Sequence, residues 1–370
     1  MKKTKILYTI NYITNGGPSR VLINIINNLD RAKYDITVLT IIDQNDKTII
    51  KELIDSGVKI KEIKIKKSII GLIKSYNKIL NEITKMQANI IHTHGIVTSL
   101  IVASKRICAY KITTVHNNIY EDYSHSYGKL KGKVIAYIHL NRLKKFNQII
   151  CCSKTSYETI KDKFVNIDYI RNGIDSNYLK DRSIVRKNIR KELNIPDKNI
   201  VYVYVGVLSK RKRVVELVEL YNNNLTKNEN LIMVGDGPFM DDIKKIANDN
   251  IKIVGFKSNA LDYFSAADIY TSNSSSEGFS ISVIEALESG LLLLLSDIPS
   301  HRECFEIDDN FYIGEFFNEE NFKSKKELLL ENYNDNSKRE VFEFQRRFLS
   351  AKSMTKKYEE YYEKGIGEEK

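Results

Sequence analysis

The sequence predicts an α/β protein made of two doubly wound domains, and three observations carry that prediction. Short β-branched runs alternate with helix-like stretches along most of the chain, which is the pattern of parallel sheets covered by helices on both faces. The plan occurs twice, and a polar, charged stretch from about Ser176 to Lys198 reads as the connection between the two rounds. Charge divides in nearly the same place: residues 1–170 carry a net +15 and the remaining 200 a net −4, within a total of +11. A basic half joined to a slightly acidic one suits two domains with different partners.

In the first half the predicted strands are Ile6–Ile10, Asp35–Ile41, Val58–Ile63, Asn89–Thr93, Lys111–Val115 and Gln148–Cys152. In the second they are Ile200–Val205, Leu231–Val234, Ile251–Val254, Asp268–Ser272 and Leu291–Ser296, with helices over Val214–Tyr221, Met240–Asn248 and Ile281–Ser289. The domains are set at residues 1–175 and 176–349. The stretch from about 350 to 366 is helical in composition and has no strand after it; it could cap the second domain, and the favoured expectation is that it crosses back onto the first. Doubly wound sheets bind ligands at the carboxyl ends of their strands, here expected to face a cleft between the domains.

Composition narrows the classes. With 42% hydrophobic and 28% charged residues, 17 Gly and 4 Pro, the chain is neither disordered nor collagen-like. Its four cysteines, Cys108, Cys151, Cys152 and Cys304, form no C-x-x-C pair, so no disulfide framework or thiolate zinc site is expected. The opening MKKTKILYTIN has too short an apolar run for a signal peptide, and the longest run, Leu291–Leu295, is far short of a membrane span. A cytoplasmic location is therefore expected. Basic surfaces attract nucleic acid and anionic lipid alike, but no nucleic-acid module is present, so nucleic acid is not an expected partner.

The most informative segment is NSSSEGFSISVIEALESG, Asn273 to Gly290. A strand runs into a Ser-rich turn, then Glu277, Gly278 and Phe279, then a helix with Ser280 as its N-cap and Glu285 about a turn and a half inside. Free amides at such a helix start favour anions, and the two carboxylates can serve a ligand rich in hydroxyls. Gly206 ends the first strand of the second half and is followed by Lys210, Arg211, Lys212 and Arg213. Cations at a helix start oppose the macrodipole, so a diphosphate gives them a purpose. Gly235-Asp236-Gly237-Pro238 is a further strand–turn–helix junction, and Gly16 and Gly17 form the corresponding turn in the first half. No G-x-G-x-x-G is present, which counts against a dinucleotide site.

Three histidines lie at predicted strand ends. His92 and His94 are read as facing opposite sides of one strand and so not sharing a metal, with His92 a structural hydrogen-bonder. His94 and His116 end neighbouring strands and are read as substrate contacts. Asn172, in the Asn172-Gly173 turn, is placed on the cleft wall. No D-x-D occurs, so a metal bridging a diphosphate to paired aspartates has no ligands.

Taken in order, these pieces resemble the GT-B glycosyltransferases, specifically the large retaining family 4, over nearly the whole chain. The carriers are Gly16-Gly17, His92-x-His94-Gly95, Thr114-x-His116, Asn172 to Asp175, Gly206-x-Leu208-x-x-x-Lys212, Gly235 to Pro238, and the E-x7-E pair Glu277 and Glu285. The resemblance implies two Rossmann-like domains, a nucleotide-sugar donor, a UDP-sugar by expectation, on the second, and an acceptor on the first. It implies Glu277, Lys212 and His116 as the catalytic set. Donor binding then falls to Gly17, Gly206, Lys210, Arg211, Lys212, Gly235, Gly237, Glu277, Gly278, Phe279, Ser280 and Glu285, with His94 and Asn172 on the acceptor side. No metal or other cofactor is implied. Two positions depart from the family pattern: Val207 stands where many relatives have Arg, and Gly290-Leu291-Leu292 lacks the usual proline.

The basic first domain then gains a partner, the anionic inner face of the cell membrane, where a lipid-linked saccharide acceptor of a capsule or O-antigen pathway would be met. Lys61–Lys85 and Lys129–Lys145 mix Lys and Arg with Ile, Leu and Tyr in part at helical spacing. A non-catalytic partner subunit and a sugar-nucleotide 2-epimerase of the same fold are the alternative readings.

Overall fold

In the computed structural model, the described residues are 3–66, 68–175 and 181–367. The chain forms two compact units, Met1–Gly173 with Ala351–Lys370, and Ile174–Ser350.

Among the described residues, the first unit holds a seven-stranded sheet: β1 (Thr4–Ile10), β2 (Tyr34–Ile42), β3 (Lys59–Ile65), β4 (Ile90–His94), β5 (Tyr110–Val115), β6 (Gln148–Cys151) and β7 (Ile167–Tyr169), in the order β3-β2-β1-β4-β5-β6-β7. Every pairing is parallel. Central β4 and β5 are buried at every residue, as a sheet covered on both faces requires. Edge strand β3, KIKEIKI, buries Ile63 and Ile65 while exposing Lys59, Lys61 and Lys64, which discourages edge pairing with another chain. Strand β7 escapes a pattern-based reading because it has three residues, one of them Asp168.

The helix Ala351–Gly367 belongs to this first unit and buries Ala351, Met354, Thr355, Tyr358, Tyr362 and Gly365. Their spacing of threes and fours is one stripe of a helix. Tyr358 and Tyr362 reach the middle of the sheet, where their hydroxyls join Thr114, Tyr8 and His92.

The second unit holds a six-stranded parallel sheet among the described residues: β8 (Ile200–Val205), β9 (Glu229–Val234), β10 (Ile251–Gly255), β11 (Ile269–Ser272), β12 (Leu292–Ser296) and β13 (Gly314–Phe317), in the order β10-β9-β8-β11-β12-β13. Strand β13, GEFF, is short and starts on glycine, so composition alone does not mark it. The stretch read as a connection departs from expectation. Residues 176–180 lie outside the described residues, but Arg182–Glu192 is a helix capped by Asp181. Arg190 is fully buried, 2.7 Å from Asp268, whose other carboxylate oxygen lies 2.7 Å from Arg186. The arginine stems supply the buried face that an apolar count misses.

Candidate active site

The winding of the second sheet places β9 on one side of β8 and β11 on the other. The loops leaving β8 and β11 therefore part at a topological switch point, where open α/β sheets bind ligands.

After β8 the chain passes Gly206 and forms a short 3₁₀ turn over Lys210–Lys212. Arg213 takes a left-handed conformation at φ 45°, and the helix starts only at Val214. The basic run thus precedes the helix instead of opening it. The turn sorts its cations: Lys210 is exposed, Arg211 half-buried and Lys212 buried. After β11, the Ser-rich turn brings Glu277 back onto this group. Lys212 Nζ donates to Glu277 Oε1, Arg211 Nη1 lies 3.0 Å from Oε2, and Ser274 Oγ donates to Oε1 at 2.7 Å. Two further bonds tie the loops together, since the backbone N and Oγ of Ser275 both donate to the Arg211 carbonyl, at 2.8 and 2.9 Å. Burial alone pushes the Glu277 carboxyl up, but the charges of Lys212 and Arg211 and the bonds from Lys212 and Ser274 outweigh it, leaving a pKa of about 2.

Gly278 and Phe279 are buried beside this cluster in sequence, and Ser280 stands at the N-cap position of the helix Ile281–Glu288. The Ser280 side chain makes no capping bond, so the expected cap is one of position only. Glu285 is buried inside that helix, and both glutamates bear on the buried Tyr270 hydroxyl, whose pKa burial and these charges raise.

Gly235 and Gly237 have a reason of their own. Their φ angles are +142° and +158°, and an added Cβ would overlap the carbonyl of Gly206 at the first and of Leu208 at the second. Their missing side chains let the β9 turn lie against the β8 turn, with Leu208 N donating to the Asp236 carbonyl at 2.9 Å. The close approach is between two stretches of this chain.

Gly17, His94, His116 and Asn172 lie in the first unit. Gly17 is the first residue of the helix Gly17–Asn28, and Asn172 is buried near the unit's chain exit. His94 Nδ1 and His116 Nε2 are 2.9 Å apart, joining the ends of β4 and β5. The expectation that His92 and His94 face opposite sides is wrong. Residues two apart on a strand share a face, and the two rings lie 4.4 Å apart. His92 is held at both nitrogens, by the Tyr362 hydroxyl and by Thr114 Oγ1, each at 2.8 Å. Burial lowers the pKa of His92 to about 3 and of His116 to about 4, and carries His94 well below its usual value. All three rings are neutral near pH 7 and act as hydrogen-bonding groups, not as cations.

Residues that sequence reasoning missed are Ser274, Ser296 and His301 in the second unit and Tyr8, Tyr358 and Tyr362 in the first; Thr114, named there only beside His116, also holds His92 and Tyr358. His301 follows β12 in a strand–turn–helix layout like that carrying Lys212, and this was the available signal. The tyrosines carried none, being two in a helix and one in a strand.

With this geometry in hand, comparison with known proteins gives a consistent answer. Residues 15–178 match Glycosyltransferase Family 4 and residues 185–345 match Glycosyl transferases group 1. The O-antigen biosynthesis glycosyltransferase WclY of Escherichia coli is 28% identical over 82% of this chain and 82% of its own. The Escherichia coli UDP-Gal:alpha-D-GlcNAc-diphosphoundecaprenol alpha-1,3-galactosyltransferase is 26% identical over 64% of each. Anabaena Alr3699/HepE, solved with UDP and glucose, superposes with a TM-score of 0.79 at 15% identity, covering 97% of this chain and 99% of that one. Two parallel-sheet units in this order, each half matching a glycosyltransferase domain, make this chain an enzyme, a glycosyltransferase of GT-B fold.

Proposed function

We propose that the enzyme moves a sugar from a UDP-sugar to a lipid-linked saccharide, with retention of configuration, in the synthesis of a bacterial surface polysaccharide of capsule or O-antigen type. The observation that carries this is the gathering of Lys212 and Arg211 on Glu277 at the switch point of the second sheet. The names of the relatives, an O-antigen transferase and a galactosyltransferase acting on a diphosphoundecaprenol carrier, support the pathway and the lipid-linked acceptor. The UDP and glucose in the Anabaena structure support the donor class.

In this reading Lys212 and Arg211, with the exposed Lys210 nearby in the same turn, take the diphosphate. Glu277, freed in part from those cations, accepts hydrogen bonds from sugar hydroxyls. As the glycosidic C–O bond breaks, its electron pair leaves with the nucleoside diphosphate, and the protein's own cations neutralise the growing charge without a metal. The acceptor hydroxyl attacks from the face the diphosphate leaves and passes its proton to it. His94 and Asn172 are assigned to the acceptor. The test is release of UDP from a panel of UDP-sugars: the unmodified enzyme releases it, while Glu277→Ala and Lys212→Ala lower turnover by at least about 100-fold. Absence of release with every UDP-sugar and extracted lipid acceptor refutes the reading.

The proposed seat of the acceptor lipid is an anionic bilayer at the cell's inner face. On the helix Lys129–Leu143, Leu130, Val134, Tyr137 and Ile138 are exposed, 80% in the case of Leu130, and their spacing sets them on one face. Exposed Lys129, Lys131 and Lys133 flank them, while Gly132, Ala136, His139, Leu140 and Leu143 turn inward. Ile70 and Ile73 on the helix Ile69–Lys85 are exposed beside Lys74. Apolar side chains ringed by lysines match the boundary of an anionic membrane. Among the described residues no helix is long and apolar enough to cross one.

A further inference from the structure

His301 takes no part in the ion-pair cluster, yet its surroundings give it a defined chemistry. It lies in the first turn of the helix Pro299–Phe305 and is 2% exposed. Its Nδ1 is 2.8 Å from the carbonyl oxygen of Ser296. A carbonyl can only accept, so Nδ1 carries the proton and Nε2 is left with a lone pair. That Nε2 is buried and has no hydrogen-bond partner among the described residues. Asn273, the first residue after β11 and also buried, has its side-chain nitrogen in the same condition.

These two groups stand at the carboxyl ends of neighbouring strands, β11 and β12, which pair through Ser272 and Leu295. Ser296 Oγ donates to the Ser274 carbonyl and Ser274 Oγ to Glu277, each at 2.7 Å, so the His301 loop is linked to the Glu277 loop through two bonds. The imidazole lies within the field of both Glu277 and Lys212, and burial pulls its pKa down to about 4, which keeps it neutral at pH 7. An unpartnered buried acceptor costs free energy unless a ligand satisfies it. A phosphate near pH 7 offers oxygens but few protons, so it suits the Asn273 nitrogen and not the His301 lone pair. A sugar hydroxyl both donates and accepts, and a polyol satisfies the two together.

We propose that His301 is a donor-sugar contact: Nε2 accepts a hydrogen bond from a hydroxyl of the sugar held by Glu277, and Asn273 donates to an oxygen of the same sugar. The proposal rests on the nucleotide-sugar reading above. It adds a determinant of sugar choice, because a site that pairs a hydroxyl rejects an analogue lacking it.

The test uses the full chain and calorimetric titration with UDP, UDP-glucose, UDP-galactose, UDP-GlcNAc and UDP-GalNAc. His301→Asn keeps a donor near the Nδ1 position and removes the distal acceptor, whereas His301→Gln does the reverse. The expected result is that His301→Asn binds UDP within about two-fold of the unmodified protein but loses about ten-fold on whichever UDP-sugar that protein binds best. His301→Gln restores most of the loss. In protein carrying ¹⁵N-histidine, the His301 Nε2 resonance moves on addition of that UDP-sugar and stays in place with UDP, a readout that needs no variant to fold. The proposal is overturned if the resonance ignores the sugar, or if His301→Asn is silent and His301→Gln weakens UDP and UDP-sugar alike, the behaviour of a loop brace. Failure of the unmodified protein to bind UDP or any UDP-sugar instead defeats the nucleotide-sugar reading, and this proposal with it.

Discussion

Lys212 and Glu277, 65 residues apart in sequence, meet as a buried ion pair that joins the loops leaving β8 and β11. Each charge therefore stabilises the other before any ligand arrives. In the proposed reading, an anion bound at Lys212 would exchange one negative partner for another, so that the cation would not stand uncompensated in a low-dielectric site.

Acid sensitivity follows from this pair. The Glu277 pKa is depressed in the folded state to about 2 from an ordinary 4.5. A depressed carboxyl contributes stability fully above its unfolded value and loses it as pH falls from 4.5 toward 2. The melting temperature should fall through that window, and Glu277→Gln should flatten this part of the profile. Near pH 7 the same variant should lose about 3–5 kcal/mol, since it leaves two cations without their anion. Calorimetry from pH 7 to pH 2.5 checks both, and an unchanged slope in the variant contradicts the assignment.

Gly237→Ala should destabilise the second unit by roughly 3 kcal/mol or more, through overlap with the Leu208 carbonyl and a backbone conformation at φ +158°. Denaturant unfolding measures it. Because the clash lies between two loops of the protein, UDP at saturation should raise the melting temperature without restoring the unmodified value.

Tyr362→Phe removes one oxygen that serves both Tyr8 and His92 Nδ1, each at 2.8 Å. Two buried groups lose a partner at once, for an expected cost of about 2–4 kcal/mol. The loss should appear as faster hydrogen exchange in β1, β4 and β5, with β8, β11 and β12 unchanged. Uniform exchange across both sheets would contradict this local role.

Leu130→Asp combined with Tyr137→Asp should reduce sedimentation with phosphatidylglycerol vesicles several-fold and leave the melting temperature within about one degree, since both side chains are exposed. Neutral phosphatidylcholine vesicles should bind the unmodified protein weakly. Equal binding to both vesicle types removes the case for an anionic surface.

Most strands were legible because parallel strands buried on both faces must be nearly continuous in β-branched and apolar residues, as IVYVYV and LLLLS are. Strands β7 and β13 were not, because three or four residues held by one neighbour need little hydrophobic signal. The helix Arg182–Glu192 escapes a periodicity reading because its buried residues are Ile189 and an arginine, Arg190, neutralised by Asp268, a partner 78 residues away. In the candidate site, Glu277 announces itself through Gly278 and the helix that follows, and Lys212 through a basic run after a strand that leads into Gly206. Their mutual contact does not, because periodicity reports which face a residue takes and not which distant loop it meets. The face shared by His92 and His94 is legible in the two-residue repeat of a strand, against the expectation of opposite faces. The reliance of His92 on Tyr362 was not available, since it spans 270 positions.

Residues 1–173 leave the ribosome long before Tyr358 and Tyr362 exist, although both side chains complete the interior of that first unit. The second unit, uninterrupted from 174 to 350, has every strand it needs as soon as it emerges. Synthesis order and completion order therefore differ: the first unit waits, with a buried histidine lacking its phenol, until the helix Ala351–Gly367 has been translated. A nascent chain paused before residue 351 should hold one finished half and one that chaperones still recognise.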